Sequence, residues 1–248
     1  MYLHAANAVE RVFRAVEHLS PKPEMMSWGD SIKFRFVIKN EYSALFLKLA
    51  RLSSLLNTLL FIVRQGRVQE QGIIQRVIEE TEEDINFLAL AICGNGLTEK
   101  HNDFLTEFWK EDYADPNDPI GTRIPRAYTR RGIRPFINRA QEQENPHLAD
   151  DAGRTIYEMY SGFLHGAAPH ILELFDPESG RFEVDGMGMT SIHIDYIHDA
   201  GNSYYRGMLA AGMTVKAFGL AEILPSLLED IQRFEAAIGI ENLQKAPN

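Results

Sequence analysis

The sequence predicts an all-α protein, a multi-helix bundle around a long antiparallel helix hairpin, with a small β-hairpin inserted near residues 181–194. Three observations carry that prediction. Apolar residues recur at helical spacing through residues 41–92 and again late in the chain. Breaks rich in Gly, Pro and Asp separate the helical stretches, and no internal repeat or low-complexity linker intervenes. An extended pattern with a turn occurs once, from Arg181 to Ile194. A single domain over 1–248 is expected, with residues 1–40 as an N-terminal arm and 41–240 as the bundle core.

The arm carries a helix over residues 5–19. From Glu41 to Arg64, Leu45, Leu49, Leu52, Leu56, Leu59 and Val63 fall on one helix face, and Phe46, Ser53 and Leu60 widen it. Gln65-Gly66 ends that helix. Val68 to Ile92 repeats the spacing with Ile74, Val77, Thr81, Ile85, Leu88 and Ile92, and exits through glycines suited to a left-handed cap. Two long helices joined by a short turn make the hairpin. Thr98 is an N-cap for a third helix with Phe104, Leu105, Phe108 and Trp109, which stops in Asp115-Pro116-Asn117-Asp118-Pro119. Further helices follow Pro135, run from Asp151 to Phe175 with a kink at Pro169, span Tyr196 to Ala221, and open at Pro225.

Composition narrows the functional classes. With 248 residues, 45% hydrophobic and 24% charged, the chain falls outside disordered, collagen-like and coiled-coil classes. Its net charge of −10 excludes an overall basic footprint for nucleic acid but not a local one. The single Cys93 excludes an intramolecular disulfide framework and a thiolate zinc cluster. No basic stretch followed by an apolar run opens the chain. The longest uncharged run, Ile85 to Thr98, has 14 residues, against the roughly 20 that a membrane helix needs. A cytoplasmic protein without membrane contact is expected.

Two polar stripes are the leading site candidates. Arg154, Tyr157, Ser161 and His165 are spaced three, four and four apart and share a helix face. Buried without partners, such groups would each cost about 1–3 kcal/mol, so a ligand or mutual bonding must satisfy them. Pro169 cannot donate to the carbonyl of His165, which leaves an acceptor beside the imidazole. Asp195, His198, Asn202 and Tyr205 form the second stripe, with Arg206 following. If the two helices face each other, Arg154, His198, Asn202, Tyr205 and Arg206 would hold an anion. His165 would then serve as general acid or base, with Tyr157 and Ser161 orienting it.

Other constellations compete. His165, His170, His193 and His198 are four of the eight histidines, and with Asp195 they offer nitrogen and oxygen ligands for a divalent metal. This is the one reading that requires a cofactor. Six arginines and no acid lie between Pro119 and Gln141; Arg126, Arg130, Arg131 and Arg134 would contact phosphate or RNA, or else dock on an acidic run. That run, Glu79, Glu80, Glu82, Glu83 and Asp84, reads as a solvated face. No P-loop, Gly-x-Gly-x-x-Gly, Gly-x-Ser-x-Gly or His-Glu-x-x-His motif occurs.

The string Tyr157-Glu-Met-Tyr-Ser161-Gly-Phe-Leu-His165-Gly, after a leucine-rich hairpin, resembles an uncharacterised family of bacterial all-helical proteins. Members carry Tyr-x-x-x-Ser-x-x-x-His on a late helix, and the resemblance spans roughly residues 41–220. It implies the helical fold and singles out Tyr157, Ser161 and His165. The broader likeness to HEPN-like bundles implies an RNA- or defence-related role, although Arg154 and His165 stand farther apart than the Arg and His of those nucleases. Three functional readings stand: an anion pocket for a nucleotide-like molecule or RNA phosphate, a metal-dependent hydrolase, and a non-enzymatic module that dimerises through the long hairpin.

Overall fold

The computed structural model describes residues 1–94, 96–126, 128–141 and 146–239. Helix α1 (Tyr2–Leu19) leads into a two-stranded antiparallel hairpin, β1 (Glu24–Trp28) and β2 (Ser31–Arg35). The long pair follows, α2 (Glu41–Arg64) and α3 (Val68–Cys93), then α4 (Glu99–Phe108), α5 (Ile133–Ala140) and α6 (Pro146–Leu164). A one-turn helix α7 (Ala168–Ile171) and a 3-10 turn precede the tiny hairpin of β3 (Phe175–Asp176) and β4 (Arg181–Phe182). Two helices complete the described chain, α8 (Ser191–Ala217) and α9 (Leu224–Ile238). The protein is all-α with small β-hairpin insertions, as the sequence predicts.

The hairpin of α2 and α3 is the organising pair. All six predicted positions on α2, from Leu45 to Val63, are buried, and α1, α3 and α8 cover them. Among the described residues, α2 alone is long and apolar enough to cross a membrane by length and composition. Here that apolar face is the middle of the core. Tyr204 of α8 enters fully buried, donates its hydroxyl to the Leu56 carbonyl at 2.9 Å, and stacks on Tyr2 with ring centroids 4.8 Å apart. Helix α6 packs on α3 where Gly72 has no side chain: a Cβ there would stand 2.5 Å from the Phe163 ring.

Several boundaries differ from expectation. Residues 1–40 do more than flank the bundle, because Ala5, Val9, Val12 and Val16 of α1 belong to the same buried cluster as α2 and α8. The β1–β2 hairpin was not predicted, since its strands mix Met, Lys and Ser without a clean alternation. The predicted hairpin at 181–194 sits earlier, at 175–182, because Thr190 caps His193 and starts α8 inside the expected second strand. Pro169 does not kink a continuous helix. The helix has already ended at Gly166, whose φ of 62° is left-handed, and the amides of Gly166 and Ala167 bond back to Phe163 and Gly162. Pro169 instead lies in the first turn of α7, where its missing N–H costs nothing. The glycine-rich exit from α3 falls partly outside the described residues, at Asn95.

Candidate functional site

Helix α3 carries more buried charge than its apolar spacing suggests. Gln71, Gln75, Glu79 and Glu82 are spaced four, four and three apart, and each is at most 3% exposed. They face away from α2, toward α6 and α8. Asp84, also buried, faces Lys48 of α2 and Arg130 in the segment leading into α5. The acidic run is therefore a buried seam rather than a solvated face, and five cations close on it.

Arg130 donates to Asp84 Oδ1 at 2.5 Å, to Glu83 Oε2 at 3.1 Å and to the Glu80 carbonyl at 2.9 Å. Arg134 donates from Nε to Glu83 Oε1 at 2.8 Å and from Nη2 to Glu79 Oε1 at 3.2 Å. Lys48 reaches Asp84 at 2.6 Å and Arg76 reaches Glu80 at 2.6 Å. Arg206 comes from α8, with Nε 3.1 Å from Glu82 Oε2 and Nη1 3.8 Å from Glu79 Oε1. Gly153 of α6 makes room for this packing, since a Cβ there would stand 1.9 Å from Arg134 Nη1.

Between α3, α6 and α8 the seam opens into a cleft of about 310 Å³. Helix α3 contributes Gln75, Glu79 and Glu82, α6 contributes Ile156, Met159 and Tyr160, and α8 contributes Asp199, Asn202, Ser203 and Arg206. Gln75 Nε2 donates to Asp199 Oδ2 at 2.9 Å and to the Tyr160 hydroxyl at 3.2 Å, and Tyr160 donates to Asp199 at 3.1 Å. Asp199 thus meets two neutral donors. Of the buried side-chain acceptors without a partner among the described residues, three belong to this cleft: Gln75 Oε1, Glu79 Oε2 and Glu82 Oε1. All belong to buried side chains that line the cleft.

Electrostatics follow from that burial. Removal from water raises the Glu82 carboxyl to about 8, although Arg206 pulls it down and Glu79 and Glu83 add to the rise. Burial also raises Glu79, against the opposing pull of Arg206 and Arg134. Tyr160 is pushed up by burial and then by the Asp199 charge, so its hydroxyl stays protonated. Groups perturbed by burial and specific charges within one cleft make it the candidate site.

The predicted pocket between the late helices exists in position but not in lining. Asn202 and Arg206 line it. Arg154 is exposed and pairs with Asp151 one turn back at 2.9 Å. Tyr157 is also exposed, its ring 3.4 Å from the Arg76 guanidinium carbon. Ser161 is half-buried, His165 and His198 are exposed, and Tyr205 turns to α9, donating to Glu235 at 2.8 Å. On α6 the predicted stripe is displaced by one position from the inward face, and on α8 the inward face takes Asp199, Asn202, Ser203 and Arg206, so that it shares only Asn202 with the stripe. One residue is about 100° on a helix, so Tyr160 and Asp199 point inward where Ser161 and His198 do not.

The metal constellation does not assemble. His193 donates to the Val63 carbonyl at 2.7 Å and accepts from the Met189 amide at 3.3 Å, tying α8 to the end of α2. His170 packs on the Phe163 ring, and Asp195 is exposed. No three His, Cys, Asp or Glu among the described residues are grouped to hold a metal ion. Of the arginines expected on phosphate, Arg130 and Arg134 dock on the chain's own acids. Arg126 bonds Asp112 at 2.8 Å, and Arg131 is exposed beside a separate groove with Lys100.

Fold and site together define a helical bundle with a carboxylate-lined cleft. Compared with protein-family models, curated proteins and solved structures, the chain matches none.

Proposed function

We propose that the protein binds a small ligand through a positively charged nitrogen carrying N–H donors, an amine or a guanidine, held in the cleft of Glu79, Glu82 and Asp199. The observation that carries this reading is the trio of buried acceptors without donors, Gln75 Oε1, Glu79 Oε2 and Glu82 Oε1. An unsatisfied buried acceptor costs about 1–3 kcal/mol, and three on one helix face favour a ligand that supplies donors. Charge agrees with this. Glu79 and Asp199 outnumber Arg206 among the charged groups that line the cleft, and Glu82 adds a third carboxylate when it ionises. Glu82, raised to about 8, holds its proton at neutral pH and releases it when a cation arrives.

Isothermal titration with methylamine, putrescine and guanidinium at pH 7, in two buffers of different ionisation enthalpy, tests the reading. Saturable binding with net proton release is expected, and Glu82→Gln combined with Asp199→Asn abolishes it. Absence of binding by all three cations defeats the proposal. Binding of inorganic phosphate or a nucleotide at this cleft, lost with Arg206→Ala, would reinstate the anion pocket in its place.

A further inference from the structure

A second space adjoins the cleft. It measures about 470 Å³ and lies between α3, α5, α6, α8 and α9. Its walls include Glu79, Ile156 and Arg206, three side chains that also line the cleft, so the two spaces meet there. Beyond them the side formed by α8 and α9 is mostly apolar, with Leu209, Met213, Leu224, Leu227 and Leu228 beside Lys216. Opposite, α3 and α5 add the polar Glu83, Asn86, Arg134 and Asn138. Ile156, Leu209 and Leu228 are 37%, 43% and 47% exposed. Gly212 keeps the floor low: a Cβ there would meet nothing nearer than Leu227 at 3.7 Å. On α8, Asp199 and Met213 are separated by 14 residues, about 21 Å along the axis. The groove therefore runs from an acidic end to one whose α8 and α9 side offers apolar side chains, with Lys216 also in its lining.

We infer that the ligand is an amphipathic amine, its charged nitrogen among Glu79, Glu82 and Asp199 and its hydrocarbon body along Ile156, Leu209, Met213 and Leu228. This rests on the proposed cation site and adds the class of molecule that fills it. Charge complementarity fixes the orientation, because the buried acceptors lie at only one end. The body covers apolar side chains that the fold leaves open, and each buried methylene strengthens binding about three- to fourfold.

A homologous series tests the inference: methylamine, butylamine, hexylamine and octylamine, titrated calorimetrically below their aggregation concentrations. Affinity is expected to climb about three- to fourfold for each methylene that enters the groove. Gly212→Leu fills the groove floor without touching the acidic end, so it is expected to flatten that climb while methylamine binds as before. Equal affinity along the series overturns the amphipathic ligand and leaves the cation site standing. No binding by any member removes both. An unchanged climb in the Glu82→Gln, Asp199→Asn double variant shows that hydrocarbon binds without the acidic end, which also overturns the inference.

Discussion

Helix α3 faces two surroundings, and they obey different rules. Toward α2, apart from the Lys48–Asp84 pair, it meets leucines in a dry core, where fit is a matter of volume and similar shapes substitute for one another. Toward α5, α6 and α8 it carries Glu79, Glu82 and Glu83 against Arg134 and Arg206, where each group depends on a named partner. An apolar face degrades gradually when altered. A buried ionic seam is unforgiving, because removing one partner strands the other in a poor solvent. The molecule places its candidate site on the unforgiving side.

The sharpest way to break this contrast is a pair of conservative changes compared by urea denaturation. Arg134→Lys loses the Nε bond to Glu83 and the planar fork that also reaches Glu79. It is expected to cost about 2–3 kcal/mol. Leu49→Met, in the dry core, is expected to cost less than about 1.5 kcal/mol. Equal losses would show that the seam is no more exacting than the core.

A smaller effect appears in the pH dependence. Glu82 holds its proton to about pH 8 in the folded protein, against an ordinary value of 4.5. Between those values the native state binds more protons than the unfolded chain. The stability associated with this group is therefore fully present below about 4.5 and lost as pH rises through about 8. Glu82→Gln is expected to narrow the fall in Tm between pH 5 and pH 8 by a few degrees. An unchanged fall would assign the pH dependence to other groups.

The smallest effect is expected on the outward face of α6. Arg154→Ala and His165→Ala should each change stability by no more than about 0.5 kcal/mol and leave methylamine binding intact. A large loss of binding in His165→Ala would return the site to the outer stripe and reverse the assignment of inner and outer faces.

The fold was legible where a helix buries a regular apolar face or begins at a recognisable residue. Leu45 to Val63 follow that case, as do the caps at Thr98 and Pro225. The site was legible only in part. Periodicity found polar stripes on α6 and α8, but choosing the inward residue requires the position of α3, which a sequence does not supply. The acidic run and the arginine segment were both visible, and docking one on the other was an open alternative. The run looked solvated because Arg130 and Arg134 lie about 50 residues away along the chain, beyond the reach of helical spacing. The stripe Gln71, Gln75, Glu79 and Glu82 was the available signal, hidden because the apolar spacing of α3 dominated the reading.

Helix α1 has a consequence for how the chain is made. Its Tyr2 hydroxyl donates to the Ile197 carbonyl, its His4 lies 2.8 Å from Asp230, and its Arg11 pairs with Asp230 as well. Helix α1 is thus synthesised well before α8 and α9, the elements that complete its contacts. Until α8 and α9 emerge, Val9, Val12 and Val16 have only part of their cover, and the long loop to be closed slows the final docking. A nascent chain halted before α9 would expose that valine stripe, making late synthesis the interval when chaperones matter most.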